Sequence, residues 1–123
     1  MKIIVAVTGA SGAIYARQCL ERLLQCNDVE QIALIMSRRG EEVAHYEGIT
    51  LPQDQRIEIF QADDMFAPTA SGSARYDAMI IVPASMGTIG RIASGVSLSL
   101  IERSADAIRP IVPIDAGTII IAS

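Results

Sequence analysis

Three short stretches of this chain carry groups suited to binding an anion. The first, Thr8-Gly9-Ala10-Ser11-Gly12-Ala13, sets a tight turn, two hydroxyls and several backbone N–H groups at the start of a helical pattern. The partial positive end of a helix favours a phosphate there, although the same small residues also serve as a plain strand-to-helix connection. The second, Ser85-Met86-Gly87-Thr88, places two hydroxyls around a glycine, able to wrap a phosphate or to act as an ordinary N-cap. The third is Ser37, which suits a ligand hydrogen bond or, more simply, a cap on its own helix. Each taken alone fits a structural role. Three hydroxyl-bearing strand ends along one sheet edge together favour a phosphate site.

The elements that must present these groups follow from hydropathy. Ile3 to Val7 is an almost unbroken β-branched run, as expected of a strand buried on both faces of a parallel sheet. Ala13, Ala16, Leu20, Leu23 and Leu24 then recur at helical spacing, opposite Arg17, Gln18, Glu21 and Arg22, in a helix expected to close near Asn27-Asp28. Ile32 to Met36 predicts a second strand and Arg38 to Tyr46 a second helix, with Thr50 to Arg56 as loop and Ile57 to Phe60 as a short edge strand. Ala67 to Arg75 reads as loop, and Ala78 to Val82 as a strand ended by Pro83. Met86 to Ser94 and Ser97 to Ile108 predict helices, and Ile111 to Ile114 and Thr118 to Ala122 two more strands. This alternation predicts an α/β fold: a doubly wound, mostly parallel sheet in a flavodoxin-like or Rossmann-like three-layer sandwich, with ligands beyond the carboxyl ends of the strands.

At 123 residues the chain is expected to form one domain, residues 1–123. Ten Lys and Arg against 14 Asp and Glu give a formal charge of −4, and no basic run exceeds Arg38-Arg39, which argues against a nucleic-acid partner. Half the residues are apolar and the mean hydropathy is +0.36, more than a small monomer needs to hide, so a homo-oligomer is expected. The longest apolar runs, Met79 to Val82 and Ile119 to Ala122, are far too short to span a bilayer. Without a long apolar leader after Lys2, the chain reads as cytoplasmic. Cys19 and Cys26, seven apart, suit neither a CxxC pair nor a zinc site and read as reduced core or interface thiols; no metal is expected. A nicotinamide-dependent dehydrogenase is the rival, since Thr8-Gly9 opens its fingerprint and Arg38-Arg39 suits a 2′-phosphate. It fails because Lys2 is the only lysine, which leaves no Tyr-x-x-x-Lys pair, and a P-loop fails for want of Gly-Lys-Ser/Thr.

Together with Ala70-Ser71-Gly72-Ser73, Pro83-Ala84-Ser85-Met86-Gly87-Thr88 and Leu100-Ile101-Glu102-Arg103-Ser104-Ala105-Asp106, the opening motif resembles the UbiX-type flavin prenyltransferases, formerly described as aromatic acid carboxy-lyases. The resemblance runs in order from Lys2 to Asp106. It implies FMN as cofactor, a homo-oligomer that is usually a dodecamer, and transfer of a dimethylallyl group from dimethylallyl phosphate to reduced FMN. The prenylated FMN would then serve a partner decarboxylase. By the same resemblance Gly9, Ala10, Ser11, Ser37, Ser85, Met86, Gly87 and Thr88 fall on FMN-contacting positions, Glu47 on a proton-transferring acid, and Arg103 on an arginine that binds the prenyl phosphate. The small residues Ala70 to Ser73 would line the flavin and prenyl pocket. A related cysteine decarboxylase branch is disfavoured, because its histidine belongs to the first-helix region and the sole histidine here is His45, expected at the surface or an interface.

The chain departs from that pattern near its end. Leu98 and Ser99 stand where the family has an Asn pair, the following lysine has no counterpart, and Ile114 and Asp115 stand at the positions of an arginine and a glutamate. The chain stops on Ile119-Ile120-Ile121-Ala122-Ser123, which reads as lacking the family's C-terminal third. Loss of cations that would hold the prenyl phosphate leaves an alternative expectation, an FMN-binding oligomeric module without transferase activity.

Overall fold

The computed structural model describes residues 1–108 and the backbone of two further strands, residues 111–115 and 118–122. The elements are β1 (Lys2–Val7), α1 (Ala13–Leu24), β2 (Gln31–Met36), α2 (Arg38–Tyr46), β3 (Ile57–Gln61), β4 (Ala78–Ile81), α3 (Met86–Ser94), α4 (Leu100–Ala107), β5 (Ile111–Asp115) and β6 (Thr118–Ala122). The strands form one sheet in the order β3-β2-β1-β4-β6-β5. β1 pairs in parallel with β2 and β4, and β2 with β3, while β6 runs antiparallel to both β4 and β5. This is the doubly wound, mostly parallel α/β sheet that the residue patterning predicts.

Alternation along β1 divides its side chains between two cores. Ile4 and Ala6 join Ile35, Met79, Leu100 and Ile101 on one face, and Val5 and Val7 join Ala16, Leu20 and Leu34 on the other. Burial on both faces is why the run reads as continuously apolar. Burying an aliphatic side chain such as Ile4 or Leu20 contributes about 1.5–3 kcal/mol.

Boundaries differ from the sequence reading where local hydrogen bonds intervene. α1 stops at Leu24 rather than near Asn27-Asp28, because the Gln25 and Cys26 amides donate back to Arg22 and Leu23, tightening the last turn until it ends. The helix expected from Ser97 begins at Leu100, since the Ser99 hydroxyl accepts from the Ile101 amide and so caps it there. Between the two helices Gly95 takes a left-handed conformation, φ 73°, with its amide donating to Ile92. The expected loop from Ala67 to Arg75 holds two single 3₁₀ turns, Pro68–Ala70 and Gly72–Ala74, the first packed on α4. Cys19 is half-buried and Cys26 exposed, both as free thiols, and His45 is exposed.

The strand order places a topological switch point between β1 and β4, where successive connections leave the sheet in opposite directions. One buried side chain closes that point. The Thr8 hydroxyl donates to the Pro83 carbonyl at 2.6 Å and accepts from the Ser85 amide at 2.8 Å, joining the turns that leave β1 and β4. Thr8→Val keeps the shape but leaves the Ser85 N–H unpaired, so urea unfolding should show a loss of about 1–3 kcal/mol. Thr8→Ser should recover most of it.

Candidate functional site

The crevice above the switch point is a cavity of about 520 Å³ whose walls include Thr8, Gly9, Ser37, Arg39, Ser85, Gly87, Thr88, Arg91 and Ser99. β1 delivers Thr8 and Gly9, the end of β2 delivers Ser37, and the turn after β4 delivers Ser85 to Thr88. A second hollow of about 380 Å³, lined in part by Arg38, Glu41 and Leu98, adjoins it and shares Ala62 and Ser99. The wall between them is fixed by the Leu100 amide, which donates to the Ala62 carbonyl at 2.7 Å.

Ser37 and Ser85 cap helices and face the cavity at the same time. The Ser37 hydroxyl accepts from the Gly40 amide at 2.9 Å, and Ser85 accepts from the Thr88 amide at 3.2 Å while sharing a 2.9 Å hydroxyl contact with Thr88. Two helix N-termini, those of α2 and α3, therefore open on one crevice, where their partial positive charges add. Gly9 permits the close approach of α2: a Cβ there would lie 2.4 Å from the Cβ of Arg39.

The remaining sequence-predicted residues lie elsewhere. Ala10 and Ser11 occupy the turn beside the cavity but not its lining, and Met86 points outward at 84% exposure. Glu47, the C-cap of α2, is exposed, and its carboxylate accepts from the Gly12 amide at 3.3 Å and the Ala13 amide at 3.0 Å. The N-terminus of α1 is thus occupied by a side chain of the same molecule rather than offered outward. Arg103 is exposed on α4, and neither it nor any residue from Ala70 to Ser73 lines the cavity. The Ile114 and Asp115 side chains lie outside the described residues. Among the described residues no group of three or more His, Cys, Asp or Glu could hold a metal ion, and no helix is long and apolar enough to cross a membrane.

The sequence reading weighs Arg39 only against a dinucleotide phosphate and overlooks Arg91 and Glu102. The Arg91 Nε donates to Glu102, the Ser99 hydroxyl donates to the other Glu102 oxygen, and the Glu102 side chain is only 2% exposed. The available sequence signal is the three-residue step from Thr88 to Arg91, which puts both on one helix face. Burial opposes the Glu102 charge, yet the Ser99 and Arg91 hydrogen bonds outweigh it and hold the carboxyl below its ordinary value.

Hydroxyls, helix N-termini and two arginines on one crevice are the donor set of a phosphate ester, which fits a phosphorylated ligand placed at the switch point. The family model described as Flavoprotein matches residues 1–117. A flavin prenyltransferase UbiX of Methanocaldococcus jannaschii is 41% identical over 109 residues, covering 86% of this chain and 58% of the relative. The crystal structure of AnUbiX in complex with FMN and dimethylallyl pyrophosphate superposes with a TM-score of 0.77 at 40% identity, covering 86% of this chain and 57% of the other. A dodecameric FMN-dependent UbiX-like decarboxylase from Escherichia coli gives 0.76 at 33% identity, covering 87% and 60%. The chain therefore spans less than two thirds of the length of each of these proteins.

The lowered Glu102 pKa has a direct consequence for stability. Its contribution is full above the ordinary glutamate value, about pH 4.3, and is lost as pH falls through the lower folded-state value. Denaturation curves at neutral pH should find Glu102→Gln less stable than wild type by about 1–3 kcal/mol. The difference should close on acidification below that range.

Proposed function

The chain belongs to the flavoprotein family, and we propose that it holds FMN in the β1/β4 crevice and acts as a flavin prenyltransferase, joining a dimethylallyl group from dimethylallyl phosphate to reduced FMN with inorganic phosphate as the leaving group. The observation that carries the proposal is the meeting of Gly9, Ser37, Ser85, Gly87 and Thr88, from three separate strand ends, on one cavity with cationic walls. The likeness to a structure holding FMN and dimethylallyl pyrophosphate supports it.

In this reading the hydroxyls of Ser37, Ser85 and Thr88 and the amides at the starts of α2 and α3 bind the flavin, with Ala10, Ser11 and Met86 bordering it. Reduced FMN, when bound, supplies the nucleophilic ring. The chain's own contribution is to orient the two reactants, exclude water and manage a proton. Glu47 is assigned the proton-transfer role, its carboxylate held by the amides of Gly12 and Ala13, which follow Ala10 and Ser11 in the chain. Arg103 is assigned to the prenyl phosphate. Residues 1–123 form the FMN-binding domain, in a cytoplasmic homo-oligomer whose product passes to a partner decarboxylase. Exposed Tyr46, Phe66 and Leu98 and the dodecameric UbiX-like neighbour support the assembly.

A second reading, an FMN-binding module without transferase activity, is favoured by one observation: Arg103 stands outside the cavity lining. Fluorescence titration of the purified chain with FMN should show saturable binding, weakened at least about tenfold in Ser85→Asp, which puts a carboxylate against the phosphate site. Anaerobic incubation with reduced FMN and dimethylallyl phosphate should then yield a heavier flavin by mass spectrometry. Glu47→Gln should slow that conversion by about a hundredfold, the usual scale of general acid–base catalysis. FMN binding without conversion selects the second reading, and no binding by folded wild type overturns both.

A further inference from the structure

Arg91 sits in the last turn of α3, where a cation would normally stay beside the helix's terminal carbonyls. Its guanidinium instead reaches back to the start of the helix. Nη2 lies 3.4 Å from the Thr88 hydroxyl, and Nη1 would lie 3.0 Å from a Cβ on Gly87. At that end the helix dipole repels a cation, so the position needs a counter-charge. Glu102 supplies it from α4, accepting from Arg91 Nε with one oxygen and from the Ser99 hydroxyl with the other. The carboxylate is buried and outside the cavity lining, whereas Arg91 lines the cavity with its side chain 37% exposed. A guanidinium has five N–H donors in a rigid fork, and fixing it through Nε leaves its outer edge for an oxyanion. The missing side chain at Gly87 keeps that edge clear.

We infer that Glu102 is a positioning residue: it holds Arg91 over the Gly87–Thr88 start of α3 and so makes that end of the crevice select a phosphate monoester over the corresponding free alcohol. The inference rests on the flavin reading, and for a flavin it means selection of FMN over riboflavin. Ser99 serves by fixing the second carboxylate oxygen. The Arg91–Glu102 pair thus adds a cation to the end of α3 that already attracts anions, at a place where the helix itself gains nothing from it.

The test compares FMN and riboflavin affinities of the full chain by flavin fluorescence, because general damage weakens both ligands alike and the proposed role affects only the phosphorylated one. Wild type should prefer FMN. Glu102→Met, which removes both acceptor oxygens at similar volume, should reduce that preference by about tenfold or more, in line with loss of a charge-assisted hydrogen bond. Riboflavin affinity should change by less than about twofold, on the scale of a substitution that leaves the contacts to the rest of the flavin in place. Glu102→Gln, which retains an acceptor for Nε, should keep more of the preference. If Glu102→Met does not fold, Arg91→Met/Glu102→Met leaves no uncompensated charge buried and should lose the preference to the same extent. A folded Glu102→Met or double variant that retains the wild-type ratio, or that loses both ligands equally, overturns the inference alone. A wild-type chain that binds neither flavin overturns the flavin reading and this inference with it.

Discussion

At the carboxyl edge of the sheet the Thr8 hydroxyl holds the Pro83 carbonyl on one side and the Ser85 amide on the other. The turn leaving β1 and the turn leaving β4 are therefore one unit, closed by a buried side chain. Ser85 then caps α3, so the direction of that helix and the place of its N-terminus descend from the same contact. α2 is tied in through the Ser37 amide, which donates to the Val7 carbonyl at 3.0 Å. Three strand ends are locked in this way before any ligand arrives, and a preorganised set of donors costs little to reuse for binding.

Charge is distributed against the chain's overall sign. The molecule carries a formal −4, yet Arg39 and Arg91 stand on the walls of the crevice, with two helix starts facing inward. Local field, rather than net charge, decides what such a site attracts. The three helix starts near the switch point are used differently. That of α1 is neutralised by Glu47, that of α2 is capped by Ser37, and that of α3 is capped by Ser85 and carries the Arg91 guanidinium, backed by buried Glu102. Anion affinity is thereby concentrated away from α1 and toward α2 and α3.

Much of this is legible in the residues, for physical reasons that differ by element. Ile3 to Val7 and Ile32 to Met36 announce buried parallel strands because both faces must be apolar, and the structure buries all of them except Met36, which is half-buried. Ser37 and Ser85 are visible because hydroxyls at strand-to-helix junctions have few uses, although the sequence leaves cap and ligand contact as alternatives where the geometry allows both. Glu47 as a cap on α1 is not legible, since its partners Gly12 and Ala13 lie 35 and 34 residues away. Nor is the Arg91–Glu102 pair, which spans two helices whose packing depends on where α4 begins. That start is set by Ser99, and periodicity alone places it too early.

The central claim is that the β1/β4 switch point is a flavin site, and amide hydrogen exchange with and without saturating FMN tests it most directly. The account predicts added protection concentrated at residues 8–12, 37–40 and 85–91, with the outer strands and the far ends of α1 and α4 unchanged. Protection centred elsewhere, or none under conditions where FMN is bound, would contradict it.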